Sequence, residues 1–523
     1  MSGYLRRLAS TGAAYTAASI LSKLLAVALL PLYTRYLSPD DYGAAELLFA
    51  LVVAASIVIR LGVIEALLRF YYKTDEVPDR VVATSFAALF WAGTISALVL
   101  MPFADQIWEL IRPEDAVLTV SGPDLVRIAI GGLWVLTLSE YLLTIFRLDE
   151  RSRAFLGFTV ASVLVTIPVT IVLVVPLDMG AEGLLLGSYG TGVAFVSGLI
   201  FYHRKRLSLI PDVPLLRRLL RFGFPTMPAE LSLYSMSVID RIIVGRAAGA
   251  AELGLYAIAI KVSQSVNVLV RGFQLAFPPL AYSITDDDEA RNAYSVVVTW
   301  FVVLMAMTVT AIWLIAPWIL RVFTGPEYFE AYKAVGPLVA GTALYAIYMV
   351  LLVVLGRTGR TEFNFPATLA GVVANIGLNL IMVPIWGIVG AAVALVISYA
   401  VVLVLMYIFT QRLFPVPYQW ARLLKVIGSS AALIAIGEIF VPIDGLGALA
   451  IRAALIALLP VALFVTGFFT DEEKRYLAMA KNPRELIEKV KAARAAEAKD
   501  EATRDQGLSE VYEVEQMNED LRS

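Results

Sequence analysis

A chain of 523 residues that is 59% hydrophobic and 16% charged, with a mean hydropathy of +0.77, carries more apolar side chain than a water-soluble core can hide. It has no cysteine and one histidine, His203, which excludes disulfides, thiol catalysis and His-rich metal centres. The net charge of −2 divides at Thr470: the stretch from Asp471 to Ser523 holds 14 acidic and 10 basic residues, leaving 32 basic and 30 acidic, or +2, for the body.

In chain order, apolar stretches of about 20 residues, enough to span a hydrocarbon layer about 30 Å thick, recur fourteen times. They lie near 10–37, 43–68, 81–104, 123–147, 154–177, 182–203, 222–246, 253–281, 293–320, 333–356, 364–385, 388–411, 423–442 and 447–468. The pattern predicts an all-α polytopic membrane protein. The first run leads straight into further spans and reads as a retained helix, not a cleaved signal. An even number of spans puts both termini on one side. With the N-terminus inside, the inner segments hold twenty Lys and Arg and the outer segments six, so the expectation is a multi-pass protein of the bacterial inner membrane with both termini cytoplasmic. The longest outer loop, around 104–122, is too short for a catalytic domain of its own, so no enzyme activity and no cofactor is expected. Beyond Phe469, Glu485, Glu488, Lys489 and Lys491 allow one amphipathic helix in a charged tail.

A repeat with a period near 210 runs through the spans. Asp41-Tyr42-Gly43-Ala44-Ala45-Glu46 is answered 211 residues later by Glu252-Leu253-Gly254-Leu255-Tyr256, each after a helix ending in an arginine, Arg35 or Arg246. At an offset of 207, Arg153 matches Arg360, Gly180 matches Gly387 and Gly183 matches Gly390, and Pro176 and Pro384 are 208 apart. The organisation read from this is an N-lobe of six spans (1–209), a C-lobe of six spans (210–413), two further spans (414–469) and the tail (470–523).

Two six-helix bundles followed by two more helices resemble the polysaccharide transport family of the multidrug/oligosaccharidyl-lipid/polysaccharide exporter superfamily. Leu37-Ser38-Pro39-Asp40-Asp41-Tyr42-Gly43 is similar to that family's first-helix signature. Phe222-Gly223-Phe224-Pro225, Asp240-Arg241 and Gly254-Leu255-Tyr256 are similar to its seventh and eighth helices. The resemblance covers about 5–468 and leaves the tail unmatched. It implies a V-shaped cleft between the lobes lined by spans 1, 2, 7 and 8. It also implies a flippase that turns undecaprenyl-pyrophosphate-linked oligosaccharide from the cytoplasmic to the outer leaflet by alternating access. The partners expected are the lipid-linked oligosaccharide, membrane lipids, and the polysaccharide polymerase and glycosyltransferases that share the substrate; no nucleic acid is expected.

An ionisable residue inside a spanning helix is costly unless it faces a cavity or a partner, so each is a functional candidate. Lys23 lies in span 1, Arg60 in span 2, and Arg241 in span 7; Lys261, Gln264, Asn267 and Arg271 fall on one stripe of span 8 about 120° wide. A pyrophosphate crossing a low-dielectric passage needs such cations and donors, and these seven are the predicted substrate-binding set. Structural ion pairing, for instance Arg241 with Glu230 eleven positions apart, is the plainer reading of some of them. Glu65, Glu140, Glu230 and Asp240 are candidates to bind the proton or sodium ion whose gradient drives the cycle. Three other readings stay open at this point: a lipid II flippase, a multidrug/cation antiporter of the same superfamily, and a membrane-embedded sugar transferase with Glu114-Asp115 as its acidic site.

Overall fold

The computed structural model describes residues 30–72, 76–471 and 473–475. Lys23 and nearly all of the charged tail lie outside the described residues. The described chain forms α1 (Leu30–Tyr36), α2 (Pro39–Arg60), α3 (Val63–Phe70), α4 (Pro78–Leu100), α5 (Ala104–Ile111), α6 (Gly122–Leu148), α7 (Ser152–Val174) and α8 (Gly180–His203). A connecting helix, α9 (Val213–Gly223), leads to α10 (Met227–Ala248), α11 (Ala250–Ser263), α12 (Asn267–Ser283), α13 (Asp287–Phe323), α14 (Tyr332–Arg357) and α15 (Asn364–Leu413), followed by α16 (Trp420–Phe440) and α17 (Gly445–Val465). Local chemistry sets the starts. Ser38 accepts a hydrogen bond from the Asp41 amide at the head of α2, with Pro39 in the first turn, and Asp212 and Asp286 cap α9 and α13 in the same way.

Eleven helices among the described residues are long and apolar enough to cross a membrane. Two more of the fourteen expected spans are present among the described residues, and one falls mostly outside them. Span 1 lies mostly outside the described residues. Span 7, as α10, is too polar to be counted because it carries Glu230, Asp240, Arg241 and Arg246. The fifty-residue α15 contains spans 11 and 12, divided at Gly387, whose φ of 55° is not helical.

Two spans expected to be single helices are broken. Span 2 stops at Arg60, where Leu61 and Gly62 take left-handed conformations (φ 48° and 70°) before α3 resumes. The reason is a close approach: a Cβ on Gly62 would fall 2.8 Å from the Gly223 Cα, so two backbones touch there. Span 8 tightens into a 3₁₀ turn at Gln264–Val266, which separates α11 from α12.

The repeat has a physical counterpart. A Cβ on Gly180 (φ 53°) would sit 3.4 Å from Asp41 Oδ2, and one on Gly387 (φ 55°) would sit 3.2 Å from Glu252 Oε2. Each bundle therefore places the acid that begins its second helix against a left-handed glycine at the turn before its sixth.

One large core joins the bundles at one end. It includes Tyr42, Ala44, Leu47, Leu48, Trp108 and Leu125 from the first, and Leu253, Tyr256, Ala257 and Leu338 from the second. At the other, basic end, which carries Arg69, Arg80, Arg147, Arg151 and Arg204, the first bundle has its own core. That core runs from Val63 and Phe70 through Val81, Tyr141 and Phe146 to Leu215 and Leu219. The lobes are thus packed together at one end and separately cored at the other, the arms of a V.

The connection between bundles belongs physically to the first. Leu215 and Leu219 of α9 complete its core. Arg80 holds Asp212 (2.6 Å from Nε), Arg218 holds Glu76, and Trp91 donates to the Leu209 carbonyl (2.8 Å). Arg206 reaches Asp79 (2.5 Å), Asp149 (2.7 Å) and the Tyr71 hydroxyl (3.2 Å). The α16–α17 pair is fastened to α13 by Arg452, fully buried, whose guanidinium donates to Glu438 (2.9 Å) and to the carbonyls of Leu314, Gly437 and Val441.

Candidate functional site

The crossing of α2 with α10 and α11 brings most of the predicted cations to the boundary between lobes. Small residues allow it. A Cβ on Gly43 would lie 2.7 Å from the Gly254 amide nitrogen, and one on Gly254 would lie 3.0 Å from the Pro39 Cα, so α2 and α11 run backbone to backbone. Just past that contact Lys261 Nζ donates to Glu46 Oε1 (2.5 Å) and the Tyr42 hydroxyl (2.6 Å). Both acceptors are buried and both come from the first bundle.

Arg60 lies fourteen residues further along α2, about 21 Å at 1.5 Å per residue. Each of its three guanidinium nitrogens is engaged: Nε donates to the Ser56 carbonyl (3.2 Å), one terminal nitrogen to Glu140 of α6, the other to Glu230 of α10 (3.1 Å). The Arg60 side chain is 11% exposed, whereas those of Glu140 and Glu230 are 41% and 42% exposed, so the carboxylates stand in front and the cation behind. Half-buried Glu65 on α3 is near enough for its charge to act on Glu230. Three carboxylates and one guanidinium give the cluster a formal charge of −2. The pairing suggested for Glu230 with Arg241 does not form, because Glu230 is taken by Arg60. Arg241 is itself buried, with Nε lacking a partner.

On the polar stripe beyond Lys261, Gln264 and Arg271 are exposed and Asn267 half-buried. Arg271 makes no ion pair among the described residues, and its charge is felt at the ring of Tyr345 on α14. Asp240 lies elsewhere, deep in the second bundle. Asn379 Nδ2 donates to its Oδ1 (2.8 Å) and the Tyr256 hydroxyl to its Oδ2 (3.2 Å). Asp240 and the three groups around it, Tyr256, Asn375 and Asn379, are buried; the Asn375 side chain is near enough to act on the Asp240 carboxylate, and the Oδ1 atoms of Asn375 and Asn379 have no partner. Among the described residues there is no cluster of three His, Cys, Asp or Glu suited to a metal ion.

Sequence reasoning passed over Glu46, Tyr42, Asn375 and Asn379. The two asparagines carried a readable signal, since amides four residues apart in an otherwise apolar span face one way and need partners there. Glu46 carried less, because it sits near a helix start, where acids are ordinary.

Away from the membrane the charges behave as bonded loop groups. The Leu215 amide that Asp212 caps, then the adjacent Arg80, hold its carboxyl below the ordinary carboxylate value.

Two six-helix bundles joined at one end, two appended helices and charged pairs across the lobe boundary define a polytopic membrane protein of the multidrug/oligosaccharidyl-lipid/polysaccharide exporter fold. The solved lipid II flippase MurJ in an inward closed conformation matches 87% of this chain and 98% of its own with a TM-score of 0.66 at 15% identity. An inward-facing multidrug resistance transporter of the MATE family matches 75% of this chain and 93% of its own, with a TM-score of 0.62 at 16% identity. The sequence is more particular. The chain belongs to the polysaccharide biosynthesis protein family, whose model matches residues 32–333. It is also 24% identical to the succinoglycan biosynthesis transport protein ExoT of Rhizobium meliloti (strain 1021) over 370 residues, 69% of this chain and 72% of that one.

Proposed function

We propose that this chain is a flippase that carries a polysaccharide repeat unit on an undecaprenyl pyrophosphate from the cytoplasmic to the outer leaflet, with its basic end in the cytoplasm and no chemistry performed on the cargo. The observation that carries this reading is Arg271. An exposed guanidinium in a spanning helix, with no carboxylate partner among the described residues and with Gln264 and Asn267 on the same stripe, calls for an anionic cargo. An organic cation would be repelled there. Membership of a polysaccharide biosynthesis family and similarity to a succinoglycan transport protein support the sugar half of the cargo. The polymerase and glycosyltransferases acting on the same lipid are its expected partners.

Arg271→Gln should abolish surface polymer while the protein stays at its normal membrane level, and Arg271→Lys should keep part of the activity, since charge survives without the bidentate fork. Normal export by Arg271→Gln would overturn the anion-carrier reading.

For the driving ion, the Asp240 cluster is the favoured of the acidic candidates. A buried carboxylate beside two unpartnered amide oxygens and a phenol offers the oxygen ligands a sodium ion uses, or a site for a proton. Asn375→Leu should weaken the dependence of transport in vesicles on a sodium gradient. If sodium has no effect on the parent protein and Asn375→Leu behaves like it, the site serves a proton or packing alone.

A further inference from the structure

We propose that Glu140 and Glu230 hold Arg60 as stand-ins for the phosphates of the cargo, and that Glu230, which reaches Arg60 from the opposite lobe, is the latch of the cytoplasmic gate. This rests on the flippase reading above and adds how the gate recognises its substrate.

The first support is the way Arg60 is held. Every guanidinium nitrogen is engaged, and the two carboxylates engaging it are nearly four times as exposed as Arg60 itself. An anion arriving from the basic end meets Glu140 and Glu230 first and gains Arg60 only by displacing them.

The second is the unequal closure of the two ends. At the end opposite the basic one, the lobes are held by Lys261 to Glu46 and Tyr42, by the Glu114 amide to the Gly245 carbonyl (2.9 Å), by Arg246 to the Leu110 carbonyl, by the Gly325 amide to Thr34 (3.0 Å) and by the Tyr328 hydroxyl to the Leu37 carbonyl (2.9 Å). At the basic end α9 and Gly223 travel with the first bundle, whose core they complete. The Arg60–Glu230 pair is then the one ion pair joining the lobes there among the described residues. One bond against a set of them makes the cytoplasmic side the one that opens on a small stimulus.

The third is charge. Two carboxylates on one guanidinium are matched by a ligand presenting two phosphate groups, whereas a bulk phospholipid offers a single phosphodiester charge. The latch therefore selects lipid pyrophosphates against the phospholipids that surround it in excess.

Glu140 supplies an internal control. It binds the same arginine through the same chemistry but belongs to the same lobe, so losing it frees Arg60 without unlatching the gate. The chain has no cysteine, so spin labels can be placed on cysteines at Leu68 of α3 and Ser283 of α12, both exposed at the basic end. Inter-label distances are then measured in phosphatidylethanolamine/phosphatidylglycerol vesicles with farnesyl pyrophosphate as the probe. Glu230→Gln should shift the distribution to longer distances without ligand, and Glu140→Gln should not. The parent protein should shift on adding farnesyl pyrophosphate, and not with farnesyl monophosphate or extra phosphatidylglycerol. Should Glu230→Gln fail to fold, Glu230→Asp, with a shorter reach to Arg60, should open at about tenfold less pyrophosphate, the ratio a loss of about 1.4 kcal/mol produces. Unchanged distances in Glu230→Gln, equal shifts in the two Gln variants, or equal responses to mono- and pyrophosphate would each overturn the proposal. The labels report without any sugar being exported, so a normal label response in a protein that exports nothing counts against the flippase reading and not the latch.

Discussion

Replacing Lys261 by methionine removes the ammonium that pairs with the buried carboxylate of Glu46 at the packed end of the lobes. Glu46 is 6% exposed and Tyr42 fully buried, and Lys261 Nζ lies 2.5 Å and 2.6 Å from them. At an effective dielectric constant of about 20, charges about 3 Å apart attract by about 5 kcal/mol before desolvation is subtracted. Removing one member of such a buried pair costs about 3–5 kcal/mol, most of it the stranded charge. Lys261→Met alone should therefore lower the melting midpoint in detergent well below the parent, whereas Glu46→Gln with Lys261→Met, which strands no charge, should return to within about 1 kcal/mol of it. Export should follow a different order. Both variants lack the ammonium that the cargo would meet on the second lobe, so both should fail to deliver polymer although one is stable. The reasoning is refuted if the single variant melts with the parent, or if the double variant melts no higher than the single.

Gly254→Val should destabilise by at least about 1–3 kcal/mol, the range for overpacking, because its Cβ would fall 3.0 Å from the Pro39 Cα. Gly377→Ala, with nothing within 4 Å of the added methyl, should stabilise α15 by roughly 0.5–1 kcal/mol, and the same melting assay ranks both. The clasp on α9 should respond to acid. Asp212 has a folded value below its unfolded one of about 3.9, so its contribution is present above that value and is lost as pH falls through the lowered one. Amide exchange over residues 213–223 should be unchanged from pH 7 down to about 5 and quicken, relative to the intrinsic rate, only below about 4; Asp212→Asn should show the quickened exchange at pH 7.

Much of the architecture was legible because a bilayer permits few solutions. Span length and the 207–211 residue offsets follow from apolar runs and turn glycines, and Asp41–Gly180 and Glu252–Gly387 give those offsets a physical meaning. The break at Leu61–Gly62 was not legible, since its cause, Gly223, lies 161 residues away in another helix. Candidate cations could be named from the cost of placing them in a span, but their partners could not. Periodicity along one helix aligns Glu230 with Arg241, whereas the partner that wins, Arg60, comes from across the lobe boundary. That crossing also changes what the residue means: Arg60, read as an open phosphate ligand, stands behind two carboxylates.

Every residue of the first bundle's basic-end core, from Val63 to Leu219, precedes Gly223 in the chain. As the ribosome delivers the chain from its N-terminus, that half of the first lobe, together with its Arg80–Asp212 and Arg218–Glu76 clasps, has all its parts before the second lobe begins to be inserted. Glu140 can reach Arg60 at that stage and Glu230 cannot. Arg60 therefore has a carboxylate of its own lobe within the chain already delivered, and the one from the second lobe comes only later in the sequence.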